Sequence, residues 1–321
     1  MAGARPRDAG RPHAVGGGAL VVAFASIYLA WGSTYLAIRV ALAGFPPPIL
    51  AGTRFTVAGA GMLVALALAG RPVRLGARDF ASVALVGTLL LVGGNGLVVW
   101  AEQTVSSGLA ALVVATVPLW MALLAALPPS RERLAPRAVV GLGLGMAGVA
   151  VLVAPGFRES GTLAAETALL GATLSWSTGS IFARRTTGHI EPILATAWEM
   201  LVGGLVFFAI AVPAGSFAAL RPTPATTLAV LYLIVAGSWI GFTAYIWLLA
   251  HVPAAKVATY AYVNPVIAVL LGWCILDERI SAAVAVGSAI IVVAVVLVTT
   301  ARIAPARAPV PEAAPGTAAE A

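Results

Sequence analysis

Ten runs of about 20 mostly apolar residues, each long enough to cross a bilayer as a helix, follow one another along this chain. The residues are 60% hydrophobic and only 10% charged, which is more apolar surface than one water-exposed domain can bury. Lipid must therefore cover most of this surface. We predict an all-α integral membrane protein with ten transmembrane helices. The predicted spans are 18–38, 46–68, 80–100, 107–127, 137–154, 164–184, 191–212, 224–248, 254–275 and 281–300.

The distribution of basic residues predicts the orientation of these helices. The net charge is +7, but the basic side chains are scattered among the loops and form no single patch, which argues against a nucleic-acid partner. With a cytoplasmic N-terminus, the inside loops and the two tails carry fourteen of the 19 basic residues. Since inside loops are enriched in Lys and Arg, both termini are predicted to be cytoplasmic. The outside segments carry only Arg39, Arg158, Arg221 and Arg279.

The ends of the chain and its cysteine content limit the remaining possibilities. Residues 1–17 and 301–321 are rich in Ala, Pro, Gly and Arg, and we predict that they are disordered cytoplasmic tails. The first span is too long for the apolar core of a signal peptide, so we expect it to remain uncleaved. Cys274 is the only cysteine. One chain can therefore form neither a disulfide nor a thiolate metal site, and we expect no metal or cofactor.

The two halves of the sequence match each other at a shift of about 145 residues. At this shift Leu-Ala-Trp-Gly-Ser at 29–33 lies over Leu-Ser-Trp-Ser-Thr at 174–178, and Pro47 lies over Pro192. The predicted repeats are 18–154 and 164–300, with five spans each. Because five is odd, the second repeat enters the membrane from the opposite side, so the repeats are inverted. Inverted repeats are a recurring plan of secondary transporters, since exchanging the conformations of the halves alternates access.

Several motifs give the chain a resemblance to a known family over residues 19–300. They are Trp31-Gly32-Ser33-Thr34-Tyr35, Pro47 with Arg54-Phe55, Tyr260-Ala261-Tyr262-Val263-Asn264-Pro265, and Glu278-Arg279-Ile280. With these motifs the chain resembles the EamA-type members of the drug/metabolite transporter superfamily. The resemblance implies ten helices, a multi-pass location in the inner or plasma membrane, and export of amino acids, other metabolites or drugs without a nucleotide. A small-molecule substrate, the lipid bilayer and a monomeric or homodimeric state are the expected partners and assembly.

Aromatic residues within the spans are the first candidates for a solute site. Trp31 and Tyr35 lie at i and i+4 on one face of the first helix, and Trp176 occupies the equivalent place in the second repeat. Trp and Tyr also populate membrane interfaces. Trp31 lies well inside its span, so we favour a pore-facing or helix-packing role for it over an interfacial one.

Three polar residues within the spans extend this candidate site. Asn95 is flanked by Gly93, Gly94 and Gly96, a composition compatible with local unwinding at a cavity and equally with an interhelical hydrogen bond. Tyr260 and Asn264 form another i, i+4 pair just before Pro265, which can leave a backbone carbonyl free. We predict a central cavity in which Trp31, Tyr35, Asn95, Trp176 and Tyr260 hold a small amphipathic solute.

Two ionisable residues lie deep within predicted spans and occupy equivalent repeat positions, Arg54 and Glu199. An ionisable side chain at such depth costs several kcal/mol unless it faces a partner or a wet cavity. Both are therefore candidates for substrate binding, with a purely structural ion pair as the alternative. Glu199 is also the candidate for proton coupling, because intramembrane carboxylates commonly relay protons in transporters. Glu102 and Lys256 lie near span ends, and we expect them to be solvated or to extend to the interface.

Other classes of protein lack the sequence features that they require. Gly143, Gly145 and Gly148 fit the G-x-G-x-x-G pattern, but they lie within a predicted span. There Gly141 and Gly145 form a small-xxx-small pair, which favours close helix packing over dinucleotide binding. An intramembrane enzyme would be the main alternative, yet the sequence has no H-E-x-x-H or G-x-S-x-G motif. A membrane scaffold without transport would need neither Arg54 nor Glu199 within the bilayer. A secondary transporter is therefore the predicted function.

Overall fold

The computed structural model describes residues 17–126, 135–153, 162–251, 257 and 260–300. These residues are almost entirely helical and contain no β-strand. The predicted tails, apart from Gly17 in the first helix, lie outside the described residues, as do Lys256 and the start of the predicted ninth span.

Each repeat contributes five helices. In the first repeat α3 is continuous through a π-helical turn region, and α4 is interrupted by a turn at residues 115–116. The helices are α1 (Gly17–Leu42), α2 (Pro47–Leu68), α3 (Ala77–Gly87, Thr88–Gly96 and Leu97–Ala101), α4 (Ser107–Val114 and Val117–Ala126) and α5 (Pro136–Val153).

The second repeat has the same plan. Its third helix, α8, also contains a π-helical region and runs without a break from residue 224 to 251. The helices are α6 (Thr162–Thr186), α7 (Pro192–Ala211), α8 (Pro224–Tyr232, Leu233–Ile240 and Gly241–His251), α9 (Tyr260–Leu276) and α10 (Ala282–Thr300).

The lengths of the helices fit a bilayer. Six described segments, in α1 to α4, α7 and α8, are long and apolar enough to cross a membrane, and α9 and α10 contain shorter apolar stretches. Together with α5 and α6 they form the ten predicted spans. The helix α1 extends beyond the predicted end of its span and carries Arg39 in its last turn. A cation at this helix terminus is favoured by the helix dipole.

Local sequence signals set where several helices begin. Pro47, Pro192 and Pro224 each occupy the first turn of a helix, where the missing backbone donor is not needed. Ahead of α7, the Glu191 side chain accepts a hydrogen bond from the Leu194 N–H. Ahead of α8, Thr223 and Thr226 form a reciprocal capping box.

The contacts between helices follow the inverted repeat. The first helix of each repeat packs against the third and fourth helices of the other: α1 contacts α8 and α9, and α6 contacts α3 and α4. The second helices pair with each other, α2 against α7, and so do the fifth helices, α5 against α10. This exchange of partners is the arrangement that a two-fold axis between inverted halves produces.

Glycines bring α2 and α7 into close contact. A Cβ at Gly59 would lie 2.5 Å from the Leu201 backbone nitrogen, and a Cβ at Gly204 would lie 2.4 Å from the Thr56 backbone nitrogen. Gly204 follows Gly59 by 145 residues, and Leu201 follows Thr56 by the same interval. The two halves therefore make the same backbone contact twice at this crossing.

The π-helical regions also repeat. The region in α3 covers Thr88–Gly96 and the region in α8 covers Leu233–Ile240, so the two begin 145 residues apart. We call them the wide turns. Such turns are frequently found at functional sites, and both lie beside the cavity described below. The wide turn of α3 contains the Gly93-Gly94-Asn95-Gly96 stretch. For this stretch the sequence was compatible with local unwinding at a cavity and equally with an interhelical hydrogen bond.

The small-residue pattern in α5 serves packing. A Cβ at Gly145 would overlap the Leu119 side chain and would lie 3.4 Å from Ala294 Cβ of α10. Gly148 lies against Ile291 of the same helix. Gly145 and Gly148 therefore pack closely against neighbouring helices, whereas Gly143 has no neighbouring atom within 4 Å of an added Cβ.

Candidate functional site

A cavity of about 110 Å³ lies at the centre of the bundle. Both repeats line it, and several lining residues occupy equivalent repeat positions, such as Trp31 with Trp176 and Pro118 with Pro265. We call it the central cavity. Seven of the eight residues predicted for the site line it: Trp31, Tyr35, Arg54, Asn95, Trp176, Tyr260 and Asn264.

Trp31 organises one wall of the central cavity. Its Nε1 donates a hydrogen bond to the Gly237 carbonyl oxygen in the wide turn of α8, at 3.1 Å. Its ring packs edge-on against Phe242 and Tyr260, with centroids 5.3 and 5.1 Å away, and a Cβ at Gly241 would overlap it. Packed aromatic rings of this kind form a rigid apolar wall.

The wide turns supply part of this geometry. A π-helical turn frees backbone carbonyls from the regular i→i−4 pattern, so that side chains from other helices can bond to them. Ser175 of α6 donates to the Leu89 carbonyl in the wide turn of α3, at 2.8 Å, as Trp31 does to Gly237 in the wide turn of α8. Each wide turn is thus anchored to the first helix of the other repeat.

Two side-chain amide oxygens of residues that line the central cavity lack a hydrogen-bond partner in the described part of the chain. The side-chain oxygens of Asn95 and Asn264 are buried, and neither has a hydrogen-bond partner among the described residues. A buried amide oxygen without a partner costs about 1–3 kcal/mol. Such oxygens are therefore suited to accept hydrogen bonds from N–H or O–H groups of a solute.

Arg54 places a cation at the same cavity. Its side chain is 4% exposed, and its Nε donates to Ser238 Oγ at 3.2 Å. Its guanidinium carbon also lies 4.8 Å from the centroid of the Phe55 ring. The ion pairs within the described residues are Arg71–Glu191 and His189–Asp79, so none involves Arg54. A buried cation without an ion-pair partner favours an anionic group beside it.

Glu199 lies apart from this cluster. It is 9% exposed on α7, and its backbone packs against Gly87 of α3. It is not among the residues that line the central cavity. The alternative of an Arg54–Glu199 ion pair is not seen in the described part of the chain. Arg54 lines the central cavity, and Glu199 does not.

The expectation for Glu102 was wrong. Its side chain is completely buried instead of solvated, and neither carboxylate oxygen has a hydrogen-bond partner in the described part of the structure. Glu102 directly follows α3, and its charged neighbours include Arg39 near the end of α1 and Glu278 before α10. The Arg39 guanidinium donates to the Glu102 main-chain carbonyl.

Some cavity residues escaped the sequence analysis. Thr34, Thr173 and Phe242 also line the central cavity. Phe242 lies 147 residues after Asn95, the shift that aligns Trp100 with Trp247, so the repeat itself contained the signal for it. No sequence feature indicated that Thr34 and Thr173, among the threonines of the spans, would line the cavity.

An inverted ten-helix bundle with a polar cavity on its symmetry axis defines a class, the helical secondary transporters. Residues 17–154 and 163–300 each match the EamA-like transporter family. The chain belongs to this family, and it is a multi-pass membrane transporter of the drug/metabolite transporter superfamily.

Individual relatives agree with this placement. The uncharacterized inner membrane transporter YedA of Escherichia coli strain K12 is 39% identical over 275 residues, which cover 85% of this chain and 88% of YedA. A protein of Streptantibioticus cattleyicolor named as a probable terminal-alkyne amino-acid exporter is 29% identical over 275 residues, covering 84% of this chain and 89% of its own. A crystal structure with 24% identity has a TM-score of 0.64 and covers 88% of this chain and 97% of its own, which shows the shared fold.

Proposed function

We propose that the protein exports small zwitterionic metabolites of the amino-acid type by alternating access, in exchange for protons. This proposal rests on the polar and charged groups that line the central cavity. Among the described residues, Arg54 has no ion-pair partner and the amide oxygens of Asn95 and Asn264 have no hydrogen-bond partner. All three residues line the central cavity together with aromatic side chains. A carboxylate beside Arg54 and an ammonium beside the amides would satisfy all three groups.

The location of the cavity supports alternating access. It lies between the two repeats, where α1 and α6 each contact helices of the other half. Relative rotation of the halves about the α2–α7 crossing would open the cavity to one side of the membrane and close it to the other. Export agrees with the name of the Streptantibioticus relative, a probable amino-acid exporter. We also propose an inner or plasma membrane location with both termini in the cytoplasm, as the distribution of basic residues predicts.

Counterflow in vesicles tests the proposal. Purified protein is reconstituted, the vesicles are loaded with unlabelled L-leucine, and entry of labelled L-leucine is followed. We expect entry that depends on the protein. Leucinol, which lacks the carboxylate, should compete poorly because it leaves Arg54 unpaired. The compound 4-methylpentanoate lacks the amine and should also compete poorly, because it leaves the amide oxygens of Asn95 and Asn264 unpaired. Equal competition by all three compounds would contradict zwitterion recognition.

A matched pair of arginine variants completes the test. Arg54→Gln should lose the preference for L-leucine over leucinol, since the cation that pairs with the carboxylate is gone. Arg71→Gln removes an exposed arginine whose ion pair with Glu191 lies at the surface, and it should transport as the unmodified protein does. An intramembrane enzyme or a scaffold would give no counterflow with either variant or with the unmodified protein.

A further inference from the structure

Glu102 is a buried carboxylate with charged neighbours at the central cavity and at a second opening. That opening is a groove of about 630 Å³ whose lining includes Arg39, Thr104, Thr223 and Glu278. We call it the terminal groove. Glu102 interacts electrostatically with Tyr35 and Arg54 on the cavity side, and with Arg39 and Glu278 on the groove side. Glu102 is therefore coupled electrostatically to groups that line the central cavity and to groups that line the terminal groove.

The charged form of Glu102 is poorly accommodated in this conformation. The side chain is fully buried and its two carboxylate oxygens have no hydrogen-bond donor among the described residues. Burial raises the pKa of the Glu102 carboxyl well above its usual range, the nearby Glu278 carboxylate raises it further, and Arg39 and Arg54 oppose this rise. The conformation described here favours the protonated acid.

The neighbouring charges are engaged elsewhere. Arg39 donates to the main-chain carbonyl of Glu102 and not to its carboxylate. Glu278 accepts hydrogen bonds from the Ser107 N–H at 2.9 Å, the Ser107 hydroxyl at 2.9 Å and the Gly108 N–H at 3.3 Å. This contact fastens the residues before α10 to the first turn of α4, across the two repeats.

We propose that Glu102 is the group that binds the exchanged proton, and that the end of the bundle holding Arg39 and Glu278 closes only when Glu102 is protonated. The proposal rests on the proposed proton-coupled export. When this end opens, water reaches the carboxylate and the Arg39 guanidinium can pair with it, so the ionised form is stable. A proton taken from the terminal groove neutralises Glu102, and the end can close over it.

The cycle is completed on the cavity side. Once the central cavity opens to the other face, the proton leaves Glu102 for water in the cavity, since Arg54 stabilises the carboxylate that remains. One proton thus crosses inward for each return of the carrier without solute. This assigns to Glu102 the role that the sequence suggested for Glu199, which does not line the cavity.

Two measurements on the reconstituted full-length protein test this assignment. The first is the C=O stretching band of a protonated carboxyl, followed by infrared difference spectroscopy through a pH series. The second uses vesicles loaded with L-leucine and a pH-sensitive dye, then diluted into leucine-free buffer. Leucine leaving the vesicles should draw protons in and acidify the lumen. Each is made with the unmodified protein, Glu102→Gln and Glu199→Gln.

We expect Glu102→Gln to lose a titrating carboxyl band and all leucine-driven acidification while keeping leucine counterflow, because exchange between equal pools needs no net proton movement. Glu199→Gln should retain both signals. The assignment is overturned if the infrared spectra of the unmodified protein and Glu102→Gln are the same. It is also overturned if Glu199→Gln alone abolishes acidification, or if the unmodified protein performs leucine counterflow but shows no leucine-driven acidification of the vesicle lumen.

Failure of the proposed function is recognised separately. Absence of leucine counterflow in the unmodified protein would contradict the transport proposal for this solute class. The infrared comparison would still decide whether Glu102 holds a titratable proton, since it requires no solute.

Discussion

The paired glycine contact between α2 and α7 leads to a quantitative prediction. A Cβ at Gly59 would lie 2.5 Å from Leu201 N, and ordinary van der Waals contact begins at 3.4 Å. The opposing atoms belong to the backbone and cannot rotate away, so Gly59→Ala must push α2 and α7 apart. Forced overpacking of this kind costs about 1–3 kcal/mol. Gly204→Ala meets the Thr56 backbone in the same way, at 2.4 Å, and should cost a similar amount.

The double variant carries the sharper expectation. Both alanines are relieved by one movement, the separation of α2 from α7, because Gly59 and Gly204 lie within about one helical turn of the same crossing. The combined loss of stability should therefore be clearly smaller than the sum of the two single losses. Additive losses would show that the helices do not respond as rigid bodies and would refute this reasoning.

Unfolding by SDS in mixed micelles, followed by circular dichroism, provides the measurement. Gly143→Ala is the matched control, since it is also a glycine in a membrane helix but has no atom within 4 Å of the added Cβ. Replacing a glycine in a helix interior by alanine without a clash should stabilise it by about 0.5–1 kcal/mol. Destabilisation of Gly143→Ala equal to that of Gly59→Ala would attribute the effect to something other than the backbone contact.

Three further predictions concern orientation, the solute site and the terminal groove. A cytoplasm-active reporter should work when fused after residues 75, 134 or 310 and fail near 158, where an externally active reporter should work; the reverse pattern would invert the predicted topology. Single alanine substitutions at the predicted cavity residues should weaken counterflow without removing folded protein from the membrane, and normal transport by all five variants would place the solute elsewhere. Glu278→Gln weakens charge-assisted hydrogen bonds to the start of α4 and should reduce the free energy of unfolding by about 1–3 kcal/mol. The thermal unfolding temperature of the detergent-solubilised protein should fall accordingly. An unchanged temperature would show that Glu278 does not fasten the two repeats together. The cavity residues concerned are Trp31, Tyr35, Asn95, Trp176 and Tyr260.

The sequence was sufficient to predict the ten spans, the inverted repeat and most of the cavity lining. Membrane helices are recognisable from apolar length, and polar residues within them must face something other than lipid, which is why Arg54, Asn95 and Asn264 could be identified. The repeat gave a second, independent indication of the cavity lining, because Trp31 and Trp176 occupy equivalent positions in the two halves.

Two features could not be predicted in the same way. Depth in the membrane can be counted along a helix, but the direction of a side chain around its helix depends on packing. Arg54 therefore faces α8 and the central cavity, while Glu199 does not line that cavity. Glu102 is buried, and its neighbours Arg39 and Glu278 are distant in sequence, so its position next to a span end did not predict its environment.

The repeated wide turns bear on how such a protein came to exist. They begin 145 residues apart although the surrounding residues differ, Thr88–Gly96 in one half and Leu233–Ile240 in the other, which indicates that the ancestral five-helix unit already contained one. A unit with an odd number of spans has its ends on opposite sides of the membrane. To assemble an antiparallel pair, that ancestor had to insert in both orientations, which requires nearly balanced basic residues in its loops. Gene fusion would remove this requirement, and the bias of arginine toward the predicted cytoplasmic side could then accumulate.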